Sequence, residues 1–113
     1  MCNKNQAVDI LGEVYRSSGA IFQTALQDAY LYGSYARGDY SAESDVDILL
    51  TVDMDASRIA QYRRDMASLT SELSLKHNVT VSVTVKPLEQ FRRYAQVLPY
   101  YQNVLKEGIR YAV

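Results

Sequence analysis

The stretch from Leu31 to Leu50, LYGSYARGDYSAESDVDILL, constrains this chain more than any other. An apolar run ends at Gly33-Ser34, a polar segment follows, and a second apolar run opens with Asp45 and Asp47, one residue apart. This pattern predicts a strand, a sharp turn and a second strand. Alternate residues of a strand share a face, so the two carboxylates are expected to converge on one point. Val46 to Val52 is almost continuously apolar, as in a strand covered on both sides. Like charges in such a setting repel and raise each other's pKa unless a cation stands between them. Oxygen-only ligands suit magnesium or manganese. An isolated Asp-x-Asp is more often a pair of solvated turn residues, so the neighbouring residues decide.

Those neighbours favour a ligand. Gly33 lets the backbone turn sharply and approach a bound group, and Ser34 adds a hydroxyl beside exposed amides. A short helix starting at Ser34 would point its first amides at an anion. Arg37, one turn on, has a planar fork suited to phosphate. A phosphate turn followed by a carboxylate pair suits a nucleoside triphosphate with its magnesium.

The remaining chain reads as support. Val8, Leu11, Val14 and Tyr15, then Ile21, Phe22, Ala25 and Leu26, predict helix from Ala7 to about Asp28, with a break near Ser17-Ser18-Gly19. Ala29 to Tyr32 predicts a short strand. A helix is expected from Ser57 to Lys76, capped by Asp55 or Ser57, with Ile59, Tyr62, Met66, Leu69 and Leu73 inward and Arg58, Arg63, Arg64 and Asp65 solvated. Val79 to Val85 alternates apolar and small polar residues, a strand. Leu88 to Gln96 and Tyr100 to Lys106 predict helices, with Gly108 as a cap, and Ile109 to Val113 a last edge strand. Helix, strand, strand, helix, strand, helix is an α/β (α+β) arrangement: a small mixed sheet with helices packed on it. At 113 residues a single domain over 1–113 is expected.

Composition narrows the function classes. A net charge of −1 and a pI near 5.7 supply no basic field, so direct nucleic-acid binding is not expected. One cysteine, Cys2, and no run of about 18 apolar residues argue for a cytoplasmic protein with no membrane association. His77 follows a helix end and reads as a surface residue, as does Lys86. Ten tyrosines serve mostly strand faces and core edges; Tyr94, Tyr100 and Tyr101 also suit a partner surface.

Gly33-Ser34, ten intervening residues and Asp45-x-Asp47 resemble the motif of the DNA polymerase beta-type nucleotidyltransferase superfamily. Gly33 to Asp39 with Ser44 to Leu49 looks most like its minimal nucleotidyltransferase (MNT) branch, and Leu98 to Gly108 is similar to the C-terminal region of those small proteins. The resemblance spans most of the chain from about Leu31. It implies a polymerase beta-like fold, with Gly33 and Ser34 at the triphosphate and Asp45 and Asp47 as catalytic magnesium ligands. The implied reaction transfers a nucleoside monophosphate, AMP from ATP, and releases pyrophosphate. It further implies a HEPN-domain toxin as partner, antitoxin activity, and a tyrosine of that toxin as acceptor.

One departure matters. The superfamily usually carries a third carboxylate on the next strand, where this chain has Thr80, Ser82 and Thr84. Asp53, Glu72 and Glu43 are the residues that folding would have to bring in instead. The alternative reading is therefore an interaction module that neutralises its partner by binding alone. A small-molecule nucleotidyltransferase is a third reading, which would need a homo-oligomer to build its pocket.

Overall fold

The computed structural model of the protein describes residues 2–111. Asn3 caps the first helix: its side chain accepts from the Gln6 amide while the Gln6 side chain accepts from the Asn3 amide, both near 2.9–3.0 Å. Helix α1 then runs from Lys4 to Phe22 without the break expected at Ser17-Ser18-Gly19. Gly12 and Ser18 are both buried, Gly12 close beneath the Tyr111 ring, and that packing overrides their weak helix propensity. The chain turns at Gln23, where φ is +55°, into a single 3₁₀ turn, Gln23–Ala25.

Strand β1 (Leu26–Tyr32) begins three residues before the expected Ala29. A four-residue helix α2 (Ser34–Arg37) follows, and then β2 (Val46–Val52), over the predicted residues. The long helix expected from Ser57 to Lys76 is two helices, α3 (Ala56–Ala60) and α4 (Arg63–His77). Between them the Gln61 and Tyr62 amides bond back three residues, to Arg58 and Ile59. This tight turn brings the Tyr62 ring against Phe22, with centroids 5.2 Å apart. Asp55 caps α3 as expected, its carboxylate accepting from the Arg58 amide at 2.8 Å.

Strand β3 (Val81–Pro87) starts later than Val79, because the chain is still leaving α4. Asn78 adopts φ +52°, and the Val79 amide still bonds to the Ser74 carbonyl. Helices α5 (Leu88–Tyr94) and α6 (Pro99–Glu107) end in a short β4 (Ile109–Arg110); the Ala112 and Val113 portion of the expected edge strand lies outside the described residues.

The four strands are ordered β3-β2-β1-β4. β1 pairs antiparallel with β2 and β4, while β2 and β3 are parallel. A mixed sheet of this kind needs helices on both faces, and the side chains of β2 divide accordingly. Val46, Ile48, Leu50 and Val52 join Ile10, Leu11, Val14, Met66 and Leu73 in the main core under α1 and α4. Leu49 points the other way, into a smaller core with Tyr30, Phe91, Tyr101 and Val104 under α5 and α6. Each fully buried aliphatic side chain contributes about 1.5–3 kcal/mol. Asp47 shares the second face, so α5 and α6 stand beside the carboxylate pair.

Candidate active site

Gly33 joins β1 to α2 in a conformation essentially reserved for glycine, with φ +78° and ψ −155°. A Cβ added there would lie 2.6 Å from Asp47 Oδ2, so the turn and the carboxylate are in immediate contact. Ser34 opens α2, whose N-terminus no side chain caps. The helix closes through Arg37 N–H to the Gly33 carbonyl and Gly38 N–H to the Ser34 carbonyl, at 3.1 and 2.8 Å. Tyr35 is buried and stacks on Tyr40 at 4.5 Å, tethering the following loop. Within that loop, Ser41 and Ser44 hydrogen-bond to each other and tighten the approach to Asp45.

Asp45 and Asp47 differ in setting. Asp45 is exposed in the turn just before β2, whereas Asp47 is half-buried on the strand. The Asp47 carboxyl is held above the usual carboxylate range, first by burial and then by the charge of Asp45, with Arg37 opposing. Such a carboxylate fits a divalent cation, which would offset both penalties. The site can therefore gather a metal ion and an anion on adjoining surfaces.

The register aligns Ser82, Asp47 and Tyr32 across three strands, with Thr84 and Leu49 in the next row on the same face. The β3 positions beside Asp47 and Leu49 thus carry hydroxyls. Neither Asp53 nor Glu72 replaces a carboxylate there. Asp53 lies beyond Val52, at the far end of β2, and Glu72 is exposed on α4, which packs on the opposite face. Glu43 is exposed in the loop, its amide donating to Ser41 Oγ. Among the described residues, no group of three or more His, Cys, Asp or Glu side chains is placed to hold a metal.

Gly33, Ser34, Arg37, Asp45 and Asp47 all gather at one end of the sheet. Arg37, however, is not a free cation. Its Nε lies 3.3 Å from Asp39 Oδ2 and its Nη1 3.6 Å from Glu107 Oε2, both exposed pairs that a phosphate can displace. Two neighbours escape sequence reasoning. Glu107 arrives from α6, some 70 positions along the chain from Arg37. Tyr100 Oη, also from α6, donates to Tyr32 Oη at 2.9 Å. Burial and that bond raise the Tyr100 phenol well above its ordinary pKa. The seven-residue spacing of Tyr100 and Glu107, two helical turns, was the available signal that they share one side of α6.

His77 bonds Glu13 rather than standing free, with Nε2 3.0 Å from Oε1, and Lys76 bonds the other oxygen of Glu13. Cys2 packs partly against the core. A groove of about 440 Å³ lies away from Asp47, between α3, α4 and the edge of β3; Ile59, Met66, Val83 and Val85 line it and no carboxylate does.

Residues 20–111 match the profile of the nucleotidyltransferase domain family, and the sheet, the Gly33-Ser34 turn and the carboxylate pair all fall within that span. The chain belongs to this family. It is 34% identical over 87 residues to "Putative protein adenylyltransferase MJ0604" of Methanocaldococcus jannaschii, covering 77% of this chain and 79% of the relative. A second relative from that organism, similarly named and designated MJ0141, is 32% identical over 77 residues, covering 68% and 76%. In fold, the chain resembles a chain of a toxin–antitoxin crystal structure with AMP-PNP, with a TM-score of 0.56 and 23% identity over 96% of this chain and 72% of that one. A mutant of the toxin–antitoxin MntA-HpeT gives a TM-score of 0.52 at 20% identity, over 99% and 73%. The family and the sheet topology make this a nucleotidyltransferase of mixed α/β fold. Among the described residues, no helix is long and apolar enough to cross a membrane.

Proposed function

We propose that this single minimal domain transfers AMP from magnesium-bound ATP to a hydroxyl on a partner protein, a tyrosine of a HEPN-type toxin, and thereby acts as an antitoxin in the cytoplasm. The observation that carries the reading is the contact between Gly33 and Asp47, which joins an anion-binding turn to a metal-binding carboxylate. The adenylyltransferase names of the two relatives and the toxin–antitoxin setting of the fold neighbours support it.

In this reading Gly33 and Ser34 present backbone amides to the triphosphate, and Arg37 leaves Asp39 and Glu107 to meet it. Asp45 and Asp47 would hold magnesium, which when bound would supply neutralisation of charge on the phosphates. The acceptor oxygen forms a bond to the α-phosphorus, the bond from that phosphorus to the bridging oxygen breaks, and pyrophosphate leaves with the electron pair. Ser82 and Thr84 offer no base for the acceptor proton, which passes to solvent water, so this chain contributes mainly by positioning and charge. A phenol, which ionises near pH 10, loses its proton more readily than an aliphatic hydroxyl and so suits such a site.

The test is label transfer from α-labelled ATP, with magnesium, to the co-expressed product of the adjacent gene. Label on a tyrosine of that product, lost in Asp47→Asn, is expected. The absence of a carboxylate from β3 beside Asp47 and Leu49 favours a second reading, inhibition by binding alone. That reading holds if no label moves and Asp47→Asn still neutralises the partner.

A further inference from the structure

We infer that Glu107 is a positioning residue for the transfer reaction. It holds Arg37 while no phosphate is bound, yields it to the triphosphate, and takes it back as pyrophosphate leaves. The inference rests on the transfer reading above and deepens it at the same site.

The oxygens of a carboxylate and those of a phosphate suit the same guanidinium fork, so the two compete for Arg37. Nη1 of Arg37 lies 3.6 Å from Glu107 Oε2, and its Nε lies 3.3 Å from Asp39 Oδ2. The Arg37 and Glu107 side chains are 43% and 41% exposed, so a ligand can reach both. Asp39 is a local partner, two residues along the same loop. Glu107 belongs to a separate element, and its place does not depend on that loop.

Three contacts set that place. Tyr101 and Val104 seat α6 in the smaller core. Tyr100, two turns before Glu107, donates to Tyr32. A side chain at Gly108 would run into the carbonyl oxygens of Val104 and Leu31, so the end of α6 lies tight against β1, two residues before Gly33. Ile109 then pairs with Leu31. With α6 held in this way, the ion pair is not what fastens it.

Helix electrostatics point the same way. Glu107 is the last residue of α6, where the negative end of the dipole disfavours a carboxylate and favours a cation such as Lys106. Helix stability gains nothing from a carboxylate at 107, whereas Arg37 gains a partner in place of phosphate. Exposed pairs of this kind are weak, so the competition changes phosphate affinity by roughly a few-fold. A magnesium-bound triphosphate therefore wins Arg37. After transfer, the departing pyrophosphate meets a carboxylate already placed to reclaim the guanidinium.

The full chain is titrated calorimetrically with magnesium–ATP, and with pyrophosphate in magnesium buffer, as wild type, Glu107→Gln, Arg37→Gln and the double variant. Thermal denaturation is recorded for each. Glu107→Gln should bind both ligands about two- to fivefold more tightly, with Tm unchanged or raised. The gain should shrink as salt is added, because the groups are exposed, and should vanish in the Arg37→Gln background. In label transfer to the product of the adjacent gene, Glu107→Gln should lower the KM for ATP without raising kcat. Unchanged or weaker ATP binding in folded Glu107→Gln would overturn the inference, as would a gain that persists without Arg37. So would a fall in Tm with affinity unchanged, which would make the pair a fastening of α6 alone. If Glu107→Gln tightens both ligands but wild type moves no label, the transfer reading fails and the competition for Arg37 stands. A wild type that binds neither ligand overturns both.

Discussion

Replacing Gly33 with alanine should separate the two demands made on that residue. The first is conformational. At φ +78° and ψ −155° a side chain is strained, at a cost of about 1–3 kcal/mol. For 113 residues unfolding near 60 °C, 2 kcal/mol corresponds to a fall in Tm of about 8 °C. The second demand is spatial. The new Cβ would stand 2.6 Å from Asp47 Oδ2, and ordinary contact begins at 3.4 Å, so the carboxylate must withdraw by about 0.8 Å. The end of an aspartate side chain makes that movement cheaply, so stability bears little of it. The proposed metal site bears it instead, because misplacement on the order of 1 Å costs on the order of a hundredfold in rate. Gly38→Ala is the control. Gly38 has φ +93°, and nothing lies within 4 Å of an added Cβ, so only backbone strain is introduced. Thermal denaturation followed by circular dichroism and calorimetric titration with magnesium–ATP provide the two readouts. Gly33→Ala should lose both stability and ATP affinity, the latter by at least about tenfold, and Gly38→Ala should lose mainly stability. Wild-type ATP affinity in Gly33→Ala, or equal loss in both variants, would refute the coupling of turn and carboxylate.

The other predictions follow from the same electrostatics. Asp47→Asn removes a carboxylate that burial and then Asp45 make unfavourable, so its Tm in metal-free buffer should equal or exceed that of wild type, while magnesium-dependent ATP binding is lost. Tyr100→Phe should cost about 0.5–1.5 kcal/mol by deleting the bond to Tyr32. The Tyr100 phenol is raised by burial and then by Tyr32, so its contribution is complete below about pH 10 and declines as pH rises toward its folded pKa. Alkaline titration of phenolate absorbance should show one late-titrating tyrosine that disappears in the variant. Glu13 is pushed up by burial but pulled down further by its hydrogen bonds to Lys76 and His77, so its net pKa is lowered. Its contribution is present above about pH 4.3 and lost as pH falls through the folded value. Glu13→Gln should cost about 0.5–1 kcal/mol at neutral pH and much less in acid, measured by urea denaturation.

Much of the fold is legible in the chain where local pattern and burial agree. Val46 to Val52 forms its strand over the expected residues because a continuous apolar run has one way to be covered. Ser34 to Arg37 forms its short helix because Gly33 supplies the entry conformation. Where local signals and packing conflict, packing prevails. Buried Gly12 and Ser18 keep α1 continuous, and the seating of Tyr62 on Phe22 divides the helix expected from Ser57 to Lys76.

The chain's own residues determine the Gly33-Ser34 turn, the carboxylate pair and the nucleotidyltransferase family, because Gly33, Ser34, Asp45 and Asp47 lie within one local stretch whose spacing already expresses their geometry. What faces them was decided only by tertiary structure. Register places Ser82 beside Asp47, α6 brings Tyr100 to Tyr32 and Glu107 to Arg37, and Asp53 and Glu72 end up elsewhere. These relations join residues far apart in sequence, and the pairing of strands and the seating of helices on the sheet set them rather than any local periodicity.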